Sequence, residues 1–164
     1  MRIDERALAA GGALLATAAL LVALGVERLG HVVPCALCLV ERWPYRIAAA
    51  LGVIACFAPR RAARWALWAM AACLLAGAVV AFVHVGVEQG WWPSPLPECA
   101  APRFGGGSIA ERLARMPVRP AKPCDEPTFL APGIPLSMAA MNLLFALALA
   151  GFLAISVAKP RRAP

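Results

Sequence analysis

Four residues of this chain have the type and spacing for thiol chemistry. Cys35 and Cys38 form a C-x-x-C in Pro34-Cys35-Ala36-Leu37-Cys38, and Cys99 and Cys124 lie further on with 24 residues between them. A C-x-x-C brings its two thiols together when it occupies the first turn of a helix, where unpaired backbone N–H groups stabilise a thiolate. Pro34 suits such a helix start, and Pro44 then either bends that helix or begins a second one. Two cysteine pairs that meet can exchange electrons without a metal, because a thiolate attacks a disulfide sulfur directly. Two other uses compete. A zinc site is disfavoured because the second pair has no C-x-x-C spacing to match the first, so no metal is expected. Two inert structural disulfides remain the main rival. Cys56 and Cys73 read as small packing residues in Ala-rich segments.

Electrons delivered to Cys35 and Cys38 must leave, and no haem, flavin or iron–sulfur signature is present to take them. A lipid-soluble acceptor is the economical answer. Arg42 follows Cys38 by four residues, so a continuous helix turns both to one side. A guanidinium there can bind a carbonyl oxygen and stabilise the negative charge that develops on reduction. The competing roles are an interfacial anchor or a partner for Glu41. His84 and Glu88 form a second i, i+4 pair and are candidates for a proton relay, against a plain interfacial role.

These residues need elements to hold them, and composition says which kind. The chain has 164 residues, 62% hydrophobic and 15% charged, with a net charge of +7 and mean hydropathy +0.72. A soluble domain of this length has less apolar surface, roughly 45–50% of its residues. The Lys and Arg occur in twos and threes between uncharged runs, not in a stripe with aromatics, so nucleic acid is not an expected partner. The expected class is an all-α membrane protein, a bundle of four transmembrane helices forming one integral domain over residues 1–164. Its spans fall at about 7–26, 43–58, 65–87 and 134–158, each near the roughly 20 residues that a bilayer requires. The second is short, and Trp43, Tyr45 and Arg46 suit an interface at its end.

Basic residues near span ends set the direction. Arg2, Arg6, Arg60, Arg61, Arg64, Lys159, Arg161 and Arg162 fall on one side if there are four crossings. Both termini are therefore expected in the cytoplasm, with loops 27–42 and 88–133 outside. The first run is longer than the apolar core of a signal peptide and lacks a clear cleavage site, so a retained anchor is expected. The orientation puts Cys35, Cys38, Cys99 and Cys124 where disulfides persist. A C-x-x-C at the lip of a span is an odd place for a staple, since lipid already constrains the chain. The outer loop 88–133 is rich in Pro and Gly and reads as mobile. Its ordered candidate is a short helix over Ser108–Met116, with Ser108 and Glu111 as a capping box and Ile109, Leu113 and Met116 on one face. It is expected to lie on the membrane surface, with a solvated helix as the alternative.

The string P-C-A-L-C-L-V-E-R-W-P-Y at Pro34–Tyr45 resembles the signature of the disulfide bond formation protein B (DsbB) family of bacterial inner-membrane thiol:quinone oxidoreductases. The four spans, the widely spaced Cys99 and Cys124, H-V-G-V-E-Q-G-W-W-P before Cys99, C-D-E at Cys124 and L-S-M-A-A-M-N entering the last span extend the resemblance along nearly the whole chain. The resemblance implies a periplasmic thioredoxin-like partner of the DsbA kind, whose thiolate attacks a Cys99–Cys124 disulfide at Cys99. Cys124 then exchanges with Cys35, and Cys38 becomes the thiolate beside a quinone, ubiquinone or menaquinone, with Arg42 at the headgroup. Some relatives carry Gln at the position of Glu41. A non-catalytic membrane scaffold with two structural disulfides is the alternative from another class.

Overall fold

The computed structural model describes residues 4–99, 108–114, 122–130, 133 and 135–159. Its elements are α1 (Glu5–Arg28), α2 (Ala36–Phe57), α3 (Arg60–Glu88), a 3-10 turn (Pro97–Cys99), α4 (Ile109–Ala114) and α5 (Met138–Ala158). No β-strand occurs among the described residues, where an isolated bridge pairs Phe129 with Ser137. The fold is all-α, as expected.

Among the described residues three helices, α1, α3 and α5, are long and apolar enough to cross a membrane. They cover the expected first, third and fourth spans. The second expected span, 43–58, lies almost wholly within α2, which starts earlier, at Ala36, and runs without interruption through Pro44, so no second helix begins at that proline. It therefore carries Cys38, Glu41, Arg42 and Arg46 on one continuous helix. Pro44 leaves Val40 O without its helical donor. Neighbouring α3 accommodates the proline, because Gly77 has no side chain where a Cβ would stand 2.9 Å from Pro44 Cβ. The Cys73 thiol donates to Pro44 O at 3.5 Å.

Small residues make these helices pack. Ala9, Ala16, Ala48, Ala55, Ala81 and Ala146 are fully buried, whereas Leu21, Val53, Val79 and Leu144 are more than half exposed. Alanines around a few large buried side chains, Leu67, Met70, Leu74 and Leu153, with other aliphatics facing outward, suit a solvent of lipid tails, where close backbone approach takes the place of a hydrophobic drive. Gly52 lets α1 and α2 approach closely, since a Cβ there would stand 2.7 Å from Ala13 Cβ and 2.9 Å from Ala9 O. At the end where α1 begins and α5 stops, Arg64 donates to Val157 O at 3.2 Å and pairs with Glu5 at 3.5 Å, joining α1, α3 and α5.

Packing runs α1 on α2, α2 on α3 and α3 on α5, while α1 and α5 touch little. The bundle is thus open between α1 and α5, and that opening forms a cavity of about 350 Å³ that reaches the start of α2. Beside this end, Phe82, Trp91 and Trp92 cluster with ring centroids 5.6–6.2 Å apart, and the Trp92 indole donates to Val83 O at 3.0 Å. The capping box at α4 is formed: Glu111 N–H donates to Ser108 Oγ at 3.3 Å and Ser108 N–H to Glu111 Oε2 at 3.0 Å. The side chain of Leu113 and all of Met116 lie outside the described residues, and with them the expected apolar face.

Candidate active site

Cys35 is the N-cap of α2, and its sulfur accepts the amide N–H of Cys38 at 3.2 Å. The expected helix start at the C-x-x-C is therefore present. Both cysteines are thiols, with sulfurs 2.8 Å apart. The Cys38 side chain and amide, as hydrogen-bond donors, hold the Cys35 thiol below its ordinary range against the opposing effect of burial. In this dithiol form the contacts that favour a thiolate converge on Cys35, not on Cys38.

Cys99 and Cys124 form a disulfide. Both are buried, and they share one apolar cluster with Cys35, Leu37 and Val87, against which Cys38 also packs. The 3-10 turn places Cys99 there, with its N–H on Leu96 O at 3.1 Å, and Cys124 N–H reaches Cys99 O at 3.4 Å. The loop segment after Cys124 is tied to α5, where Met138 N–H donates to Thr128 O at 2.7 Å. The two pairs, 61 residues or more apart in sequence, thus meet at the head of α2.

A buried polar network backs the α2 pair. His84 of α3 places Nε2 3.5 Å from Cys35 Sγ and Nδ1 2.6 Å from Glu41 Oε1. An ionised carboxylate only accepts, so Nδ1–H donates to it and, in the neutral ring, Nε2 faces the thiol as an acceptor. The other Glu41 oxygen accepts from Asn142 Nδ2 at 2.6 Å, and the Tyr45 hydroxyl donates to Asn142 Oδ1 at 2.6 Å. Glu88 Oε1 lies 4.0 Å from His84 Nε2, and Glu88 Oε2 accepts from Ser137 Oγ at 2.5 Å. The i, i+4 pair read from the sequence is therefore at the site. Sequence reasoning missed Asn142, Tyr45 and Ser137, although an Asn within an apolar span is itself a signal for a functional position.

Arg42 is buried and pairs with Glu27 of α1 at 2.6 Å, rather than with its sequence neighbour Glu41. It lines the cavity together with Cys35, Cys38, His84 and Glu88, so the sequence-predicted residues of the α2 and α3 ends are brought to one place. The remaining wall is largely aliphatic, including Leu15, Ala19, Val22 and Val26 of α1. An apolar trough ending in a cation, a dithiol and a histidine suits a flat carbonyl-bearing headgroup on an apolar tail.

The family model described as "Disulfide bond formation protein DsbB" matches residues 5–156, nearly the whole chain. No curated protein and no solved structure matches the chain.

Proposed function

The chain belongs to the DsbB family of disulfide bond formation proteins, and from that premise we propose that it is a thiol:quinone oxidoreductase of the bacterial inner membrane. It takes electrons from a periplasmic DsbA-like dithiol and gives them to membrane quinone. In this reading α2 is the second of four spans, both termini are cytoplasmic, and Cys35, Cys38, Cys99 and Cys124 lie on the periplasmic side. The observation that carries it is the single buried cluster of two cysteine pairs at the polar end of an apolar cavity.

Exchange balances without a metal. A partner thiolate attacks Cys99, the Cys99–Cys124 bond breaks, and Cys124 leaves as a thiolate. The second partner thiol then releases Cys99, so the partner gains a disulfide and the loop pair holds two electrons and two protons. Cys124 attacks Cys35 of an oxidised Cys35–Cys38 pair, freeing Cys38. Cys99 closes back on Cys124, and the α2 pair becomes the dithiol seen here.

Quinone, when bound, supplies an acceptor for two electrons and two protons. Arg42 provides a buried cation for the headgroup, and Glu27 fixes its direction. His84 takes the Cys35 proton at Nε2 while Glu41 steadies the resulting charge, and Glu88 lies next to it as the further proton site. The apolar walls keep water from the thiolate. The rival scaffold would carry the same disulfides with no turnover. A reduced dithiol partner and a soluble quinone analogue decide between them: the enzyme reduces the analogue, and the scaffold leaves it unchanged.

A further inference from the structure

The sequence spacing argued against four thiolates on zinc, but the structure assembles a different donor set. Cys35 Sγ, Cys38 Sγ and a ring nitrogen of His84 all lie within 4.8 Å of one another, and Nε2 is the nitrogen that faces Cys35. The histidine comes from α3, 49 positions beyond Cys35, so no local motif announces it. Its other ring nitrogen donates to Glu41, whose second oxygen is held by Asn142. A carboxylate behind the ring is how metal-binding histidines are commonly held, with the free nitrogen aimed at the ion and made more basic.

The distances suit a small thiophilic cation. Tetrahedral bonds of about 2.3 Å to sulfur and about 2.0 Å to nitrogen separate those two donors by roughly 3.5 Å, and Cys35 Sγ lies 3.5 Å from His84 Nε2. The two sulfurs, now 2.8 Å apart, would open to roughly 3.7 Å on the same geometry. Cys38 is half-buried beside the cavity, so rotation of its side chain provides that opening. Two thiolates, a neutral imidazole and a divalent cation sum to zero charge, which limits the cost of holding them at a membrane edge. Water, or Glu88 at 4.0 Å from Nε2, is available for a fourth position.

We propose that the reduced Cys35–Cys38 pair and His84 form a redox-gated site for a thiophilic divalent cation, zinc in the cell, and that its occupancy blocks oxidation of the pair. Binding converts two thiols and a cation into a dithiolate complex and two released protons, with no change of oxidation state. Forming the Cys35–Cys38 disulfide removes both sulfur ligands, so binding and oxidation exclude one another. The block on turnover rests on the thiol:quinone reading, whereas the binding rests on the dithiol and His84 alone.

Cadmium chloride is the probe, titrated into full-length Cys99→Ala/Cys124→Ala protein reduced with a phosphine and then freed of it. Sulfur-to-cadmium absorption in the near ultraviolet should saturate at one ion per chain, with proton release, and should vanish when Cys35 and Cys38 are oxidised. His84→Ala and Glu41→Gln should weaken binding about tenfold to hundredfold. An absorption band retained in Cys38→Ser, or unaltered affinity in both His84→Ala and Glu41→Gln, overturns the site. With wild-type protein, cadmium should suppress reduction of a quinone analogue at least tenfold and a chelator should restore it. Saturated binding with undiminished turnover overturns the block. If metal-free protein does not reduce the analogue, the thiol:quinone reading fails while the binding result stands.

Discussion

Glu41 of α2 and His84 of α3 are joined by a 2.6 Å contact that directs the other imidazole nitrogen at Cys35. Both residues are buried, and Glu41 has donors on both oxygens. In the proposed reaction His84 is the group that accepts the Cys35 proton. In stopped-flow measurements, His84→Ala should slow oxidation of the α2 dithiol by about a hundredfold. Glu41→Gln keeps the shape but not the charge and should cost less. Equal rates in His84→Ala and wild type would remove the histidine from the chemistry.

The Cys35 thiol is held below its ordinary range first by the Cys38 side-chain donor. Its thiolate, the species that alkylates, therefore forms at lower pH than in a free cysteine. Peptide-resolved iodoacetamide labelling of the reduced protein should show a Cys35 rate that rises at lower pH than in Cys38→Ala. The same midpoint in both proteins would mean that the Cys38 thiol does not set the acidity.

Cys99 and Cys124 contribute unequally if exchange proceeds through the loop pair. Cys124→Ala leaves Cys99 without its resolving thiol, so a partner disulfide formed at Cys99 cannot be passed inward. A mixed disulfide that disappears on reduction should accumulate on non-reducing gels. Its absence with a competent partner would argue against entry at Cys99.

Arg42 ends the cavity and is oriented by Glu27. Arg42→Ala should raise the apparent KM for quinone about tenfold or more, as expected for loss of a charge-assisted hydrogen bond worth roughly 1.5–3 kcal/mol. Exchange between the cysteine pairs should persist. An unaltered KM would make Arg42 a structural partner of Glu27.

Local spacing made the cysteine pairs, the start of α2 at Cys35 and the His84–Glu88 turn legible in the sequence. The partners that let Glu41 and Arg42 sit inside α2 were not. Charge near the start of an apolar run signals a loop only when nothing in the bundle can satisfy it, and here Glu27, His84 and Asn142 do so. Those partners lie on three other helices. Tertiary contacts 43 and 101 residues apart leave no periodic trace in one sequence. The cavity was hidden for the same reason, because it arises where α1 and α5 fail to close.

In the proposed function, electrons entering through Cys99 leave through the α2 pair to quinone. Purified protein given a reduced dithiol partner and a soluble quinone analogue tests it in one measurement of quinol formed against partner disulfide formed. The wild-type chain should form one quinol per disulfide, and Cys38→Ser none. Undiminished quinol formation by Cys38→Ser would contradict it.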